Sequence, residues 1–402
     1  MLKYKSADAR LPVSDAGRRA RFYVLTLLAV EFMDEFVFGL REASWPLIRT
    51  DFQLSYTDIG LLISLPRMIA CVIEPVIGIL GDVWKRRALI LGGGIFFTLA
   101  LLLIAVCDGF LLLLVAFILI YPASGAFVSL SQAALMDFDP TRHERNMARW
   151  ALAGSLGNVA GPLALGATLM VGAGWRDLYG ALCLMSLLLV AVAWRFPFAA
   201  PFVVEEQSGR EALRGGVIRA FGALKRREVL RWLVLLALAD LMLDGLHGYL
   251  ALYLVDLAGL SETQAGISLI VWTCVGIPGD LLLLPLLERV RGLTYLRLSA
   301  LVVLVLFPAF LLAPGILAKL ILLGLLGFTN AGWYSILQAR LYSAMPGQSG
   351  TVMALSNVVD IIGSLIPLGI GIVAEHFGIG AAMWLLWVGP VALLIGVPRE
   401  SK

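Results

Sequence analysis

Long apolar runs separated by short polar or basic clusters repeat along the whole chain. A run of about 20 apolar residues crosses a hydrocarbon core of roughly 30 Å as a helix. Twelve such spans are predicted, at 22–48, 57–81, 88–107, 110–137, 147–171, 176–197, 229–255, 262–287, 295–313, 315–343, 350–374 and 379–397. The longest polar gap, 198–228, divides six spans from six. The pattern predicts an all-α integral membrane protein with an N-terminal tail (1–21), a first six-helix bundle (22–197), a linker (198–228), a second bundle (229–397) and a C-terminal tail (398–402).

The two halves resemble each other. A shift of 206 positions lays LSYTDIG (54–60) on LSETQAG (260–266), Asp34 on Asp240, Glu74 on Asp280, Asp82 on Glu288, Ser129 on Ser335 and Gln132 on Gln338. Polar coincidences without a gap in so apolar a sequence predict two pseudo-symmetric bundles related by an axis along the membrane normal.

Basic residues set the orientation. Lys3, Lys5, Arg10, Arg18, Arg19 and Arg21 precede span one, Lys85 to Arg87 follow span two, and Arg142, Arg145 and Arg149 follow span four. Seven more lie between Arg210 and Arg231, and Arg289, Arg291 and Arg297 follow span eight. The opposite loops hold little beyond Arg49, Arg176 and Lys319. The positive-inside rule then puts both termini and the linker in the cytoplasm.

Composition narrows the class. The 402 residues are 60% hydrophobic and 15% charged, with a mean hydropathy of +0.91; a soluble chain is nearer 45–50% apolar and about 25% charged. A net charge of +3 gives no reason to expect a nucleic-acid partner. Cys71, Cys107, Cys183 and Cys274 lie in apolar runs without a CxxC and read as buried small hydrophobes. His143, His247 and His376 lack ligand spacing, so no metal site is expected. The basic first twenty residues have no short apolar core with a cleavage site, so no signal peptide is expected. With no nucleophile–base pair or metal cluster in view, neither an enzyme nor a cofactor is expected.

After span two comes GILGDVWKRRALI, 78–90. Gly78, Leu80, Asp82, Arg86 and Arg87 resemble the G-x-L-x-D-x-x-G-R-R/K loop of the major facilitator superfamily, with Lys85 where the second glycine would stand. The resemblance implies twelve helices and a gating role for Gly78, Asp82, Arg86 and Arg87, with Asp137 at the end of span four as a further member. In span five, GNVAGPLALG (157–166) is similar to the G-x-x-x-G-P motif of the exporter branch, on Gly157, Gly161 and Pro162; Leu165 replaces the first of the family's closing glycines. Exporters of this kind often place an arginine in span four, four residues before a glycine; here Tyr121 stands there, ahead of Gly125. The resemblance to bacterial drug and sugar exporters implies a bacterial inner membrane, a monomer and a small-molecule substrate.

Span one contains VEFMDEFVFGLREAS, 30–44. At about 100° per residue, Glu31, Asp34, Glu35, Arg41 and Glu42 share an arc of about 120°. A charged arc on an apolar span faces water or protein. In span seven, Asp240, Asp244 and His247 also share a face, and Arg67 and Glu74 do so in span two. Asp280, Arg340 and Asp360 add charges on spans eight, ten and eleven. In the family, spans 1, 4, 7 and 10 line the central path, and 2, 5, 8 and 11 flank it.

A charge at the bilayer centre costs about 2.5–3.5 kcal/mol and usually serves transport, relay or pairing. An unpaired carboxylate in a low-dielectric cavity can exchange protons near neutral pH. Glu31, Asp34, Glu35 and Asp240 are therefore the expected proton-coupling groups, with Arg67 alternating among the span-one acids. Arg41, Arg67, Tyr121, Asp244, His247, Trp333, Tyr334, Arg340 and Asp360 are the expected cavity residues. Plainer roles stay open: Arg67 as a helix lock, His247 as a helix-bridging hydrogen bonder, Trp333 and Tyr334 as packing. The expected function is export of a small organic solute against protons by alternating access. A symporter, a facilitator and a lipid transporter of the same fold are the alternatives.

Overall fold

The computed structural model describes residues 13–83, 86–138, 143–196, 225–287, 289–344, 361 and 363–398. The first half contains α1 (Val13–Phe52), α2 (Tyr56–Val83), α3 (Arg86–Val106), α4 (Phe110–Ser124), α5 (Leu130–Phe138), α6 (His143–Met170) and α7 (Trp175–Ala193). A π turn, Gly125–Ser129, joins α4 to α5 without breaking the rod. The second half contains α8 (Arg227–Asp256), α9 (Glu262–Leu287), α10 (Gly292–Leu312), α11 (Ile316–Thr329), α12 (Trp333–Ala344), α13 (Ile366–Phe377), α14 (Ile379–Leu385) and α15 (Val388–Gly396).

Among the described residues, nine helical stretches are long and apolar enough to cross a bilayer. Neither α1 nor α8 is among them, and both carry acids at mid-length. Three spans differ from the sequence expectation. The first helix begins at Val13 rather than near 22, the tenth is broken into α11 and α12, and the twelfth turns between α14 and α15. In each case an apolar run reports that a segment crosses, not whether its helix is continuous.

The repeat has a physical basis at its best-matched stretch. Ser55 and Asp58 form a reciprocal cap at the start of α2: Asp58 N–H donates to Ser55 Oγ at 3.0 Å, and Ser55 N–H donates to Asp58 Oδ2 at 3.0 Å. Ser261 and Gln264 repeat the arrangement ahead of α9, at 3.3 and 3.0 Å. Both satisfy N–H groups that a helix start leaves without partners.

The α1–α6 seam is the closest helix contact around the acidic face. A Cβ on Gly157 would press on the Phe32 carbonyl and Phe36 N–H, and one on Gly161 on the backbone of Gly39 and Leu40. Small residues let the two backbones meet directly. Pro162, next along the same face, reaches the second half beside Gly266 of α9.

The halves also meet around the α1–α2 turn. Arg49 pairs with Asp256 at the end of α8 at 2.7 Å, the Tyr56 hydroxyl donates to the same carboxylate at 2.9 Å, and Tyr56 N–H donates to Glu375 at 2.8 Å. One turn deeper, Leu368 N–H donates to Ser64 Oγ at 2.9 Å, and Gly60 lies against Pro367 and Leu368. These contacts close the bundle at that end.

Candidate functional site: an acidic helix face beside a paired-charge cavity

The acids of α1 point into the first half. Glu31 and Glu35 lie over Gly154, where a Cβ would stand 2.7 Å from Glu31 Oε1. Asn158 Nδ2 donates to Glu35 Oε2 at 3.2 Å. Asp34 turns toward α4, where the Ser124 side chain lies beside it. The next residue, Gly125, has the Glu74 methylene packed where a Cβ would be. Among the described residues, none of Glu31, Asp34 and Glu35 forms a salt bridge. The smooth α6 face and the π turn leave room for these carboxylates beside two backbones.

The cations lie elsewhere. Arg41, buried in α1, forms 3.1 and 2.6 Å bonds to Glu42 Oε1, donates to the Tyr121 hydroxyl at 2.5 Å and stands over the rings of Phe38 and Tyr121. Glu42 also accepts from the Trp45 indole at 3.2 Å. Tyr121, which occupies the position of the family's span-four arginine, therefore receives a guanidinium from α1. Arg67 of α2 crosses to the second half and pairs with Asp244 of α8 at 3.1 Å. The expected association of Arg67 with the α1 acids is not formed: α2 packs on α13, and Arg67 reaches Asp244 of α8 instead.

Two cavities share the Phe38–Asp244–His247 wall. One of 270 Å³ is lined by Arg41, Glu42, Arg67, Tyr121, Tyr249 and Pro367 among others. The second, of 410 Å³, extends between α6, α8, α9 and the α11–α12 break, past Asn158, Trp272, Asn330 and Tyr334. Phe38 and His247 stack between them, with centroids 5.6 Å apart and planes 9° apart. The His247 ring bridges the halves by stacking; among the described residues its Nδ1 has no hydrogen-bond partner, so the helix-bridging hydrogen bond left open for it is not made at that atom. A smaller pocket holds Arg67, Asp240 and Asp244 together, so Asp240 belongs with that ion pair rather than with the α1 acids.

Other expected residues fall in different places. Trp333 is fully buried and donates its indole N–H to Ser299 at 2.8 Å, so its ring is packing, whereas Tyr334 is 51% exposed at the cavity. Arg340 lies about two turns beyond Trp333 on α12. Arg87 donates to the Trp194 and Phe196 carbonyls at 2.7 and 3.0 Å, holding the end of α7, and Arg86 is buried at the start of α3. Asp360 and the side chains of Gly78, Asp82, Asp137 and Asp280 lie outside the described residues. Sequence reasoning missed Ser124, Asn158, Phe38, Trp272 and Asn330. Asn158 stood inside the quoted span-five motif, and Asn330 sits in TNAGW, a polar and glycine interruption of an apolar run.

No curated protein sequence matches the chain. Among solved structures, a bacterial homologue of the human lysosomal transporter Spinster, inward-facing and unoccupied, superposes with a TM-score of 0.76 at 16% identity, covering 94% of this chain and 95% of that one. The nucleoside transporter NupG superposes with a TM-score of 0.73 at 15% identity over 93% and 97% of the two chains, and a variant of it with 0.79 at 12% over 93% and 98%. Likeness at such identity speaks for the fold alone. The Major Facilitator Superfamily model matches residues 27–367. An all-helical membrane protein with this fold, matched to the family model over most of its length, the chain belongs to the major facilitator superfamily.

Proposed function

We propose that the protein exports a small organic solute in exchange for protons, with Glu31, Asp34 and Glu35 as the proton-exchanging groups. The observation that carries this reading is the separation of charges. Both cavity arginines have a carboxylate of their own, while among the described residues none of the three α1 acids forms a salt bridge: Glu35 accepts from the neutral Asn158, and Asp34 lies beside Ser124. Arg41 on α1, Glu74 on α2 and Gly154 on α6 complete their surroundings. A carboxylate cluster of this kind gains or loses protons when its access to water changes.

With both termini cytoplasmic, the end closed by Arg49, Tyr56, Asp256 and Glu375 is the outer one, and this is the inward-facing state. The export direction rests on the resemblance of Gly157, Gly161 and Pro162 to the span-five motif of the exporter branch. The test is a distance measurement between spin labels at Thr50 and Leu257, both exposed on opposite sides of the closed end. A pH step is expected to change the populations of closed and open separations in the native protein and to leave them fixed in Glu31→Gln/Asp34→Asn/Glu35→Gln. A native protein indifferent to pH, or a triple variant that still responds, contradicts the reading.

A further inference from the structure

Three enclosed polar atoms on residues lining the 410 Å³ cavity have no hydrogen-bond partner among the described residues: Nδ2 and Oδ1 of Asn330 and Nδ1 of His247. Asn330 is only 4% exposed. Buried polar groups in native proteins are nearly always hydrogen-bonded, and exceptions mark places that a water, an ion or a ligand completes.

The backbone explains why the amide is there. Helix α11 stops at Thr329 and α12 restarts at Trp333, with Gly332 at φ +74° making the break. Within a bilayer such a break persists only where protein or a cavity surrounds it. The break is stitched without the amide. Trp333 N–H donates to the Asn330 carbonyl at 3.2 Å, Ile336 N–H to the Gly332 carbonyl at 2.9 Å, and the Tyr295 hydroxyl to the Ala331 carbonyl at 2.9 Å. The side chain of Asn330 is not needed as a cap.

The repeat isolates the same residue. The 206-position shift lays Ser124 on Asn330 and the π turn, 125–129, on 331–335. In the first half, Ser124 lies beside Asp34. The second half's equivalent acid, Asp240, lies in the pocket of Arg67, and the Asn330 amide is not bonded to it.

Charge then selects the ligand class. Of the paired charges only Asp244 lines the 410 Å³ cavity, and Arg67 holds it, while Arg41 and Glu42 pair in the neighbouring cavity, so an ion entering the larger one would have to displace Arg67. The walls offer flat aromatic surface from Trp272, Tyr334 and the Phe38–His247 stack. We infer that the α11–α12 break is a recognition site for a planar, uncharged group with adjacent hydrogen-bond donor and acceptor, such as the edge of a carboxamide, lactam or nucleobase-like heterocycle. A carboxamide forms two parallel hydrogen bonds with such an edge, the geometry by which asparagine reads adenine. The volume falls in the range of small-molecule sites. This deepens the transporter reading without depending on its proton coupling.

The test uses purified full-length protein, with thermal unfolding and tryptophan fluorescence as readouts and no pH gradient. Uracil and nicotinamide are expected to stabilise it saturably. N,N-dimethylnicotinamide, which lacks the N–H, is expected to bind about tenfold or more weakly, and benzoate and benzyltrimethylammonium not to stabilise it. Asn330→Leu should abolish the effect while its ligand-free melting temperature stays equal or rises, a result that a structural cap would not give. The α1 triple variant should retain binding, so failure of proton coupling and failure of this site are separable. The inference is overturned by no stabilisation from either amide probe, an equal response to the N-methylated compound, a preference for an ion, undiminished binding in Asn330→Leu, or a lower melting temperature in that variant.

Discussion

At one position of the repeat both halves abandon the regular helix, and they do so differently. In the first half the rod continues through the π turn at Gly125–Ser129; Ser124 lies beside Asp34 and Glu74 fills the space beside Gly125. In the second half the rod breaks after Thr329 at Gly332, with φ +74°, and Asn330 holds the equivalent position with its amide unmatched. Duplication supplied two irregular mid-span sites. One became closed around carboxylates; the other opened on a cavity. On the two proposals above, a twofold scaffold holds a proton site in one half and a solute site in the other without merging them.

The ion pairs make the first way to break this comparison, with the largest expected effect. Arg41 and Glu42 are 8% and 2% exposed. Glu42→Ala leaves a buried guanidinium with only neutral partners and is expected to cost about 3–5 kcal/mol in denaturant unfolding. Arg67 and Asp244 have side chains 36% and 58% exposed, and Asp244→Ala is expected to cost less than about 1 kcal/mol. A reversed order would mean that the inter-half pair, and not the one within α1, holds the ground state together.

The glycines sharpen the comparison at a smaller magnitude. Gly157 and Gly363 are related by the same shift. A Cβ on Gly157 meets the backbone of α1, whereas one on Gly363 meets nothing within 4 Å. Gly157→Ala is expected to cost about 1–3 kcal/mol, and Gly363→Ala to stay within about 0.5 kcal/mol. Thermal unfolding of both variants decides it; equal losses would show that the α1–α6 seam is not special to the acidic half.

Much of this architecture is legible in the sequence, because apolar runs, basic loops and capping residues are local signals. The repeat is readable down to the Ser55–Asp58 and Ser261–Gln264 caps. The charged arc of α1 is readable as well, since helical periodicity alone puts Glu31, Asp34 and Glu35 on one side. Partners are not readable. Arg67 reaches Asp244 from an α2 that packs on α13, and no spacing within α2 or α8 encodes that. His247 stacks where a helix-bridging hydrogen bond was left open, since the ring of Phe38 arrives from the other half. The helix break at Asn330–Gly332 is hidden in an apolar run long enough to read as one span, and the π turn has no composition of its own.

Infrared difference spectroscopy of the purified protein across a pH step probes the central claim most directly, since it sees carboxyl protonation without needing a substrate. The account predicts a carboxylic-acid C=O band that weakens in Asp34→Asn and Glu35→Gln and vanishes in the triple variant, with Asp240→Asn and Asp244→Asn leaving it in place. A band untouched by the three α1 substitutions, or one removed by Asp240→Asn or Asp244→Asn, would put the exchangeable proton in the other half and contradict it.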